Sequence, residues 1–269
     1  MSTTPATPAT PTAAGTDPDA VGLALADLRA AVAHLHPDDP VALLAIGDDL
    51  HTLGSPAGAV PFYEAAVGHE VPGALYRLGA AHHDAGDPLE AFRWFELAGL
   101  AGDELGAFMA GQVAHEHGDL HAARRWYEQA QGVEGAVVRL ARVLRELGDA
   151  AEAERLLAAA AGESWEAAVE HALSGALDAP TATALLESWA EAGEVRVASA
   201  LADLYVRAGR ALDAEDLLEQ AVLAGDAASG TSLGVLRLRA GRVAEAMALW
   251  HDAAAQGDAY AAELLTRFG

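Results

Sequence analysis

Between residues 17 and 36 the apolar positions Val21, Leu23, Leu25, Leu28, Val32 and Leu35 recur at helical spacing and predict one amphipathic helix. Asp17 ahead of Pro18 is its start signal, and His36-Pro-Asp-Asp-Pro40 ends it. Residues 1–16 are mostly Thr, Pro and Ala with no charged side chain. They offer too little burial to offset the entropy of ordering them and read as a disordered tail. Beyond Pro40 the pattern repeats at long range. Ala59, Ala91, Ala123, Ala153, Ala214 and Ala246 are each followed four residues later by Tyr63, Phe95, Tyr127, Leu157, Leu218 and Trp250. Three residues after those come Ala66, Ala98, Ala130, Ala160, Ala221 and Ala253. Small residues let helix axes approach, and the large ones, with Trp94 and Trp126, fill the space between them, so the aromatic series is packing and not a stacking platform.

The glycines set the period. Gly54, Gly86 and Gly118 are 32 residues apart, Gly148 follows, and Gly209 and Gly241 are again 32 apart. A second series, Gly68, Gly102, Gly132, Gly162, Gly193, Gly225 and Gly257, interleaves with it. Two series at one period predict two helices per repeat, each ending at a positive φ. In Gly86-Asp87-Pro88-Leu89-Glu90 the glycine closes one helix, Asp87 caps the next, Pro88 fits its first turn and Glu90 completes a capping box. Gly148-Asp149-Ala150-Ala151-Glu152 and Ser55-Pro56 follow the same logic, whereas Arg210 and Arg242 stand at cap positions they suit poorly. The stretch 165–195 departs, with Asp178-Ala-Pro180 where a turn glycine belongs, and counts as a degenerate seventh repeat.

The segment Leu78-Gly79-x-x-His82-x-x-x-Gly86-x-x-x-x-Ala91-x-x-x-Phe95-x-x-Ala98 resembles the tetratricopeptide repeat, with His82 in place of the usual tyrosine. Arg125-Trp126-Tyr127-Glu128-Gln129-Ala130 and Ala253-Ala254-Ala255-Gln256-Gly257-Asp258 are closer to its SEL-one-like subclass. The resemblance covers residues 40–269. It implies an all-α, right-handed α-solenoid of about seven helix-turn-helix repeats, closed by a last helix from Asp258 to Phe268.

Composition narrows the chemistry. The 269 residues carry 16 basic and 40 acidic groups, a net charge of −24, and every basic residue is arginine. Without lysine there is no Walker loop and no Schiff base, and without cysteine no disulfide, thiolate nucleophile or cysteine zinc site. Long-range repulsion works against nucleic acid as a partner. No run reaches the roughly 18 apolar residues of a membrane span, and the start of the chain lacks a secretory pattern, so no membrane partner and a cytoplasmic location are expected. Arginine in place of lysine, with asparagine absent, is the signature of GC-rich codon usage and points to a bacterial source. Neither a GxSxG elbow nor a distinctive carboxylate pair is present, so no enzymatic activity, catalytic residue or cofactor is expected.

His51, His83 and His115 recur at one-repeat spacing, with His82, His117 and His121 nearby, and predict a ladder on one face. Neighbouring helices lie about 8–10 Å apart, too far for adjacent rungs to share one ion, so no metal site is assigned. The resemblance further implies that the first helix of each pair lines a concave groove. Its face would carry Tyr76, His83 and Asp84; Phe108, Gln112, His115 and Glu116; Arg142, Arg145 and Glu146; Asp203 and Arg207; and Arg239. Some relatives grip a peptide carboxylate with lysine and asparagine, and this chain has neither. The expectation is a non-catalytic adaptor whose protein or peptide partner presents an acidic or carboxylate group to Arg142 and Arg145, flanked by apolar residues that meet Tyr76 and Phe108. The alternatives are a small-ligand or metal-responsive regulator using the histidine-rich repeats, and a tethering subunit of an enzyme complex.

Overall fold

The computed structural model describes residues 39–268, so the tail at 1–16 and the helix expected at 17–36 lie outside the described residues. Among the described residues there are fifteen α-helices and no strand. Seven pairs follow one another: α1 (Pro40–Thr52) with α2 (Pro56–Gly68), α3 (Ala74–Asp84) with α4 (Pro88–Leu100), α5 (Glu104–Glu116) with α6 (Leu120–Gln129), and α7 (Ala136–Glu146) with α8 (Ala150–Ala160). They continue with α9 (Trp165–Leu173) and α10 (Ala179–Glu191), α11 (Ala198–Arg207) and α12 (Ala211–Leu223), and α13 (Ala227–Arg239) and α14 (Val243–Ala255), and α15 (Ala259–Phe268) ends the chain. The chain divides into two compact units at Ala110/Gly111, inside α5.

Within six of the seven pairs the packing follows a size rule. The residues sixteen places before Tyr63, Phe95, Tyr127 and Trp250 are Gly47, Gly79, Gly111 and Gly234. A Cβ on them would lie 2.5, 2.6, 2.8 and 2.3 Å from the respective ring. Where the large residue is Leu157 or Leu218, the same place holds Ala141 or Ala202. All four aromatic rings are fully buried, so a ring takes the volume that a methyl group occupies elsewhere. In the N-terminal unit Tyr63 and Leu78 pack with Ile46 and Leu50. In the C-terminal unit one core runs through Leu186, Leu201, Tyr205, Leu218 and Leu233, and another gathers Trp250, Ala261 and Leu264.

The first glycine series ends the first helices as expected, with φ of 77, 83, 78, 91, 78 and 78° at Gly54, Gly86, Gly118, Gly148, Gly209 and Gly241. The second series holds only in part. Gly102, Gly193, Gly225 and Gly257 have positive φ, whereas Gly68, Gly132 and Gly162 do not. After α2 the left-handed turns fall on Glu70 and Gly73, and after α6 on Gly135, because both connections run longer before the next helix starts. The degenerate repeat is not short of a turn glycine either. Gly175, at φ 85°, provides it three residues before Asp178, which caps α10 by accepting from the Thr181 amide at 2.8 Å.

The capping box at Glu90 does not form. The Asp87 amide donates to the His82 carbonyl at 2.8 Å as part of the glycine turn, which leaves Glu90 no amide to reach back to. Asp87 itself accepts from the Glu90 amide at 3.3 Å, and the Glu90 side chain pairs with Arg93. Asp149 and Ser55 are spent in the same way: their amides close onto Leu144 and Leu50, and their side chains cap nothing. Arg210 and Arg242 make no cap, as expected. No described helix is long and apolar enough to cross a membrane.

Candidate functional site

In the N-terminal unit the chain closes a polar cluster on itself. Asp48 on α1 accepts from the Tyr63 hydroxyl at 2.9 Å and from Arg77 Nε at 2.8 and 3.1 Å, at the rim of a recess of about 290 Å³. Burial, reinforced by the Asp48 carboxylate, pushes the Tyr63 phenol far above its ordinary range, so it stays a donor. Beside it His51 Nε2 donates to Asp84 Oδ2 at 2.7 Å, and His83 Nδ1 donates to Asp84 Oδ1 at 3.0 Å. Those two bonds, His83 first, hold the Asp84 carboxyl below its ordinary range.

Two repeats later, within the C-terminal unit, the same places carry Gln112 for Asp48, Tyr127 for Tyr63, Arg139 for Arg77, His115 for His51 and Glu146 for Asp84. The histidine bond is conserved between the two blocks: His115 Nε2 donates to Glu146 Oε1 at 2.9 Å. The acid is not. Gln112 is neutral and donates to Glu116 Oε1 at 3.0 Å. Arg139 therefore has no ion pair among the described residues, and neither has Arg142, one turn further along α7. Burial, reinforced by Glu116, pushes the Tyr127 phenol up to about 12 against the pull of Arg139 and Arg142, so two guanidinium charges and one carboxylate act at that hydroxyl. Two arginines without an ion pair beside a phenol, against the single carboxylate of Glu116 acting there, form a local cationic site that a carboxylate fits.

No family model matches the chain, and no curated protein matches it. Solved structures do. A tetratricopeptide repeat protein from Parabacteroides merdae shares 18% identity over 85% of this chain and 98% of its own, with a TM-score of 0.61. A Sel1 repeat protein from Oxalobacter formigenes shares 18% identity over 95% of this chain and 83% of its own, at 0.57. Yeast Tom70 shares 16% identity over 91% of this chain at 0.64, and the chain spans 57% of the Tom70 chain.

The chain has the tetratricopeptide-type repeat fold.

On the first helices of this tetratricopeptide-type array, the groove residues expected from sequence meet different fates. Tyr76 is half-buried against Phe95, with ring centroids 5.9 Å apart. Phe108 is half-buried on α5, on the N-terminal side of the unit boundary. His83 is exposed but bonded to Asp84. Arg145 differs most from expectation. Its guanidinium is held by Glu154 at 2.8 Å and Glu170 at 3.0 Å, because α8 and α9 both present carboxylates to it, so it is not available to a ligand alongside Arg142. Burial raises the Glu154 carboxyl, but bonds from Arg145, Ser174 and His171 outweigh it and leave the group below its ordinary range. Arg207 is paired with Asp203. Arg239 is exposed, without an ion pair among the described residues, at the edge of a cleft of about 210 Å³ between α11, α13 and α15.

His51 and His83 meet on one carboxylate, Asp84. His51 and His115 each turn toward a carboxylate on the next first helix, and His117 donates to the Val113 carbonyl at 2.8 Å. No group of three His, Asp or Glu that could hold a metal occurs among the described residues. Arg139 was not anticipated. The signal was present in the recurrence of Arg77 two repeats on, but it has meaning only beside the change from Asp48 to Gln112.

Proposed function

We propose that the protein is a non-catalytic interaction scaffold that holds a partner segment bearing a carboxylate against the first helices of the third and fourth repeats, with Arg139 and Arg142 as its cationic contacts. The observation that carries this reading is the contrast between the two blocks. In the first, a carboxylate sits against a tyrosine hydroxyl and an arginine at 2.8–3.1 Å. In the second, tyrosine and arginine recur and the internal carboxylate is replaced by Gln112. Asp48 on Arg77 is thus the arrangement that an external carboxylate on Arg139 would copy. The fold of the solved relatives supports a scaffold, and the cationic patch supports an acidic partner. A protein or peptide partner, no nucleic acid, no membrane and a cytoplasmic location belong to the same proposal.

The test is a titration with a labelled peptide carrying one glutamate between leucine and phenylalanine residues, and with its glutamine counterpart. Wild type should prefer the glutamate peptide by about 10-fold or more, one charge-assisted bond being worth about 1.5–3 kcal/mol. Arg142→Ala should remove most of that preference, and Gln112→Asp, which recreates the Asp48 arrangement, should abolish it. Equal affinity of wild type for both peptides would refute the reading.

A further inference from the structure

Arg142 and Glu146 stand four residues apart on α7, the spacing at which opposite charges on a helix close into a pair. The chain does this elsewhere: Arg124 pairs with Glu128 at 2.8 Å in the same order and spacing, and Arg207 with Asp203 in the reverse order. Arg142 does not pair, because Glu146 is turned away and bonded to His115 across the repeat boundary at 2.9 Å. The other nearby acid, Glu116, is likewise occupied by Gln112 at 3.0 Å. Both carboxylates that could neutralise the arginine pair are thus held by side chains other than arginine.

We propose that His115 is a positioning residue for the cationic site: it never touches the ligand, and it keeps Arg142 open by holding Glu146 away from it. This rests on the scaffold reading for its consequence, but not for its geometry. The same histidine bond joins His51 to Asp84 in the first block, where Ala80 takes the place of Arg142. Tying neighbouring helices is therefore a second effect of the bond, and the experiment has to separate the two.

The first arm uses no ligand. The side-chain Nε–Hε resonance of Arg142 is followed in the full chain for wild type, His115→Ala, His115→Gln and the double variant His115→Ala/Glu146→Gln. His115→Ala should shift the resonance as Glu146 closes onto Arg142. The double variant should return it toward wild type, and His115→Gln, which can still donate to Glu146, should leave it nearly unmoved. No shift in His115→Ala, or a shift that persists in the double variant, overturns the proposal. The second arm titrates the same four proteins with the glutamate peptide. Because an exposed pair at this spacing is weak, His115→Ala should lose about 1.5- to two-fold in affinity, and the double variant should recover it. A loss that survives in the double variant marks His115 as merely structural and overturns the proposal. If the resonance behaves as expected while wild type fails to distinguish glutamate from glutamine peptide, the diversion of Glu146 stands and the scaffold reading falls.

Discussion

Gly79→Ala pits helix propensity against packing. Alanine is about 1 kcal/mol better than glycine inside a helix, so on local grounds the substitution should stabilise α3. The structure sets the opposite sign. The added Cβ lies 2.6 Å from Phe95 Cδ1, 2.7 Å from Cε1 and 3.2 Å from Cγ, where contacts of about 3.5–4 Å are the norm. Phe95 is fully buried, so its ring can retreat by the required distance of about 1 Å only by displacing its neighbours. Overpacking of this kind costs about 1–3 kcal/mol, and the contact with two ring carbons belongs at the upper end. Subtracting the propensity gain leaves a net loss of about 1–2 kcal/mol. The double variant Gly79→Ala/Phe95→Leu reproduces the Ala141/Leu157 combination already used in the fourth repeat. Its loss should be smaller than the sum of the two single losses, by a coupling of about 1–2 kcal/mol. Urea unfolding followed by far-UV circular dichroism gives the four midpoints of the cycle. A stabilised Gly79→Ala, or strict additivity with Phe95→Leu, would show that the ring has room and that the size rule is coincidence.

Two further outcomes follow from the backbone and the charges. Gly175→Ala should lower stability by about 1–2 kcal/mol, since φ is 85° there, whereas Gly162→Ala, at an ordinary φ with no atom within 4 Å of the added Cβ, should be neutral or slightly stabilising; thermal melts that rank them the other way would refute the turn assignment. The Asp84 carboxyl is depressed in the folded chain, so its contribution is fully present above the ordinary value of 3.8 and is lost as pH falls through the lower folded value. Asp84→Asn should therefore flatten the acid limb of a melting-temperature profile below about pH 4; a wild-type acid limb in the variant would count against the two histidine bonds.

The repeat architecture was legible because its signals are backbone constraints that recur in phase. Glycine at a left-handed turn and a small residue opposite a large one each have a purely local cause, and seven near-copies multiply them. What misled was local chemistry read without the turn that precedes it. Glu90 has the spacing of a capping box, but the Asp87 amide is already engaged by the glycine turn, a fact no motif three residues long contains. Gly175 falls outside the glycine period because α9 is short and its connection long, which shifts the turn. For the site, charge type was readable and availability was not. Arg142 and Arg145 differ in the carboxylates that other helices bring to them, and only the fold decides that Glu154 and Glu170 converge on one and none on the other.

The recurrence of the arginine and of the histidine–carboxylate bond at two-repeat spacing sets the unit in which the first four repeats can be shortened. Excising one repeat after the first would bring the place of Met109, not an arginine, opposite Asp48, and leave that carboxylate and the Tyr63 hydroxyl with no guanidinium between them. Excising two would bring Arg139 to Asp48 and Glu146 to His51, so that every polar partner at the new junction is met by its counterpart. Across the first four repeats the smallest interchangeable module is accordingly four helices, twice the size that the glycine spacing announces.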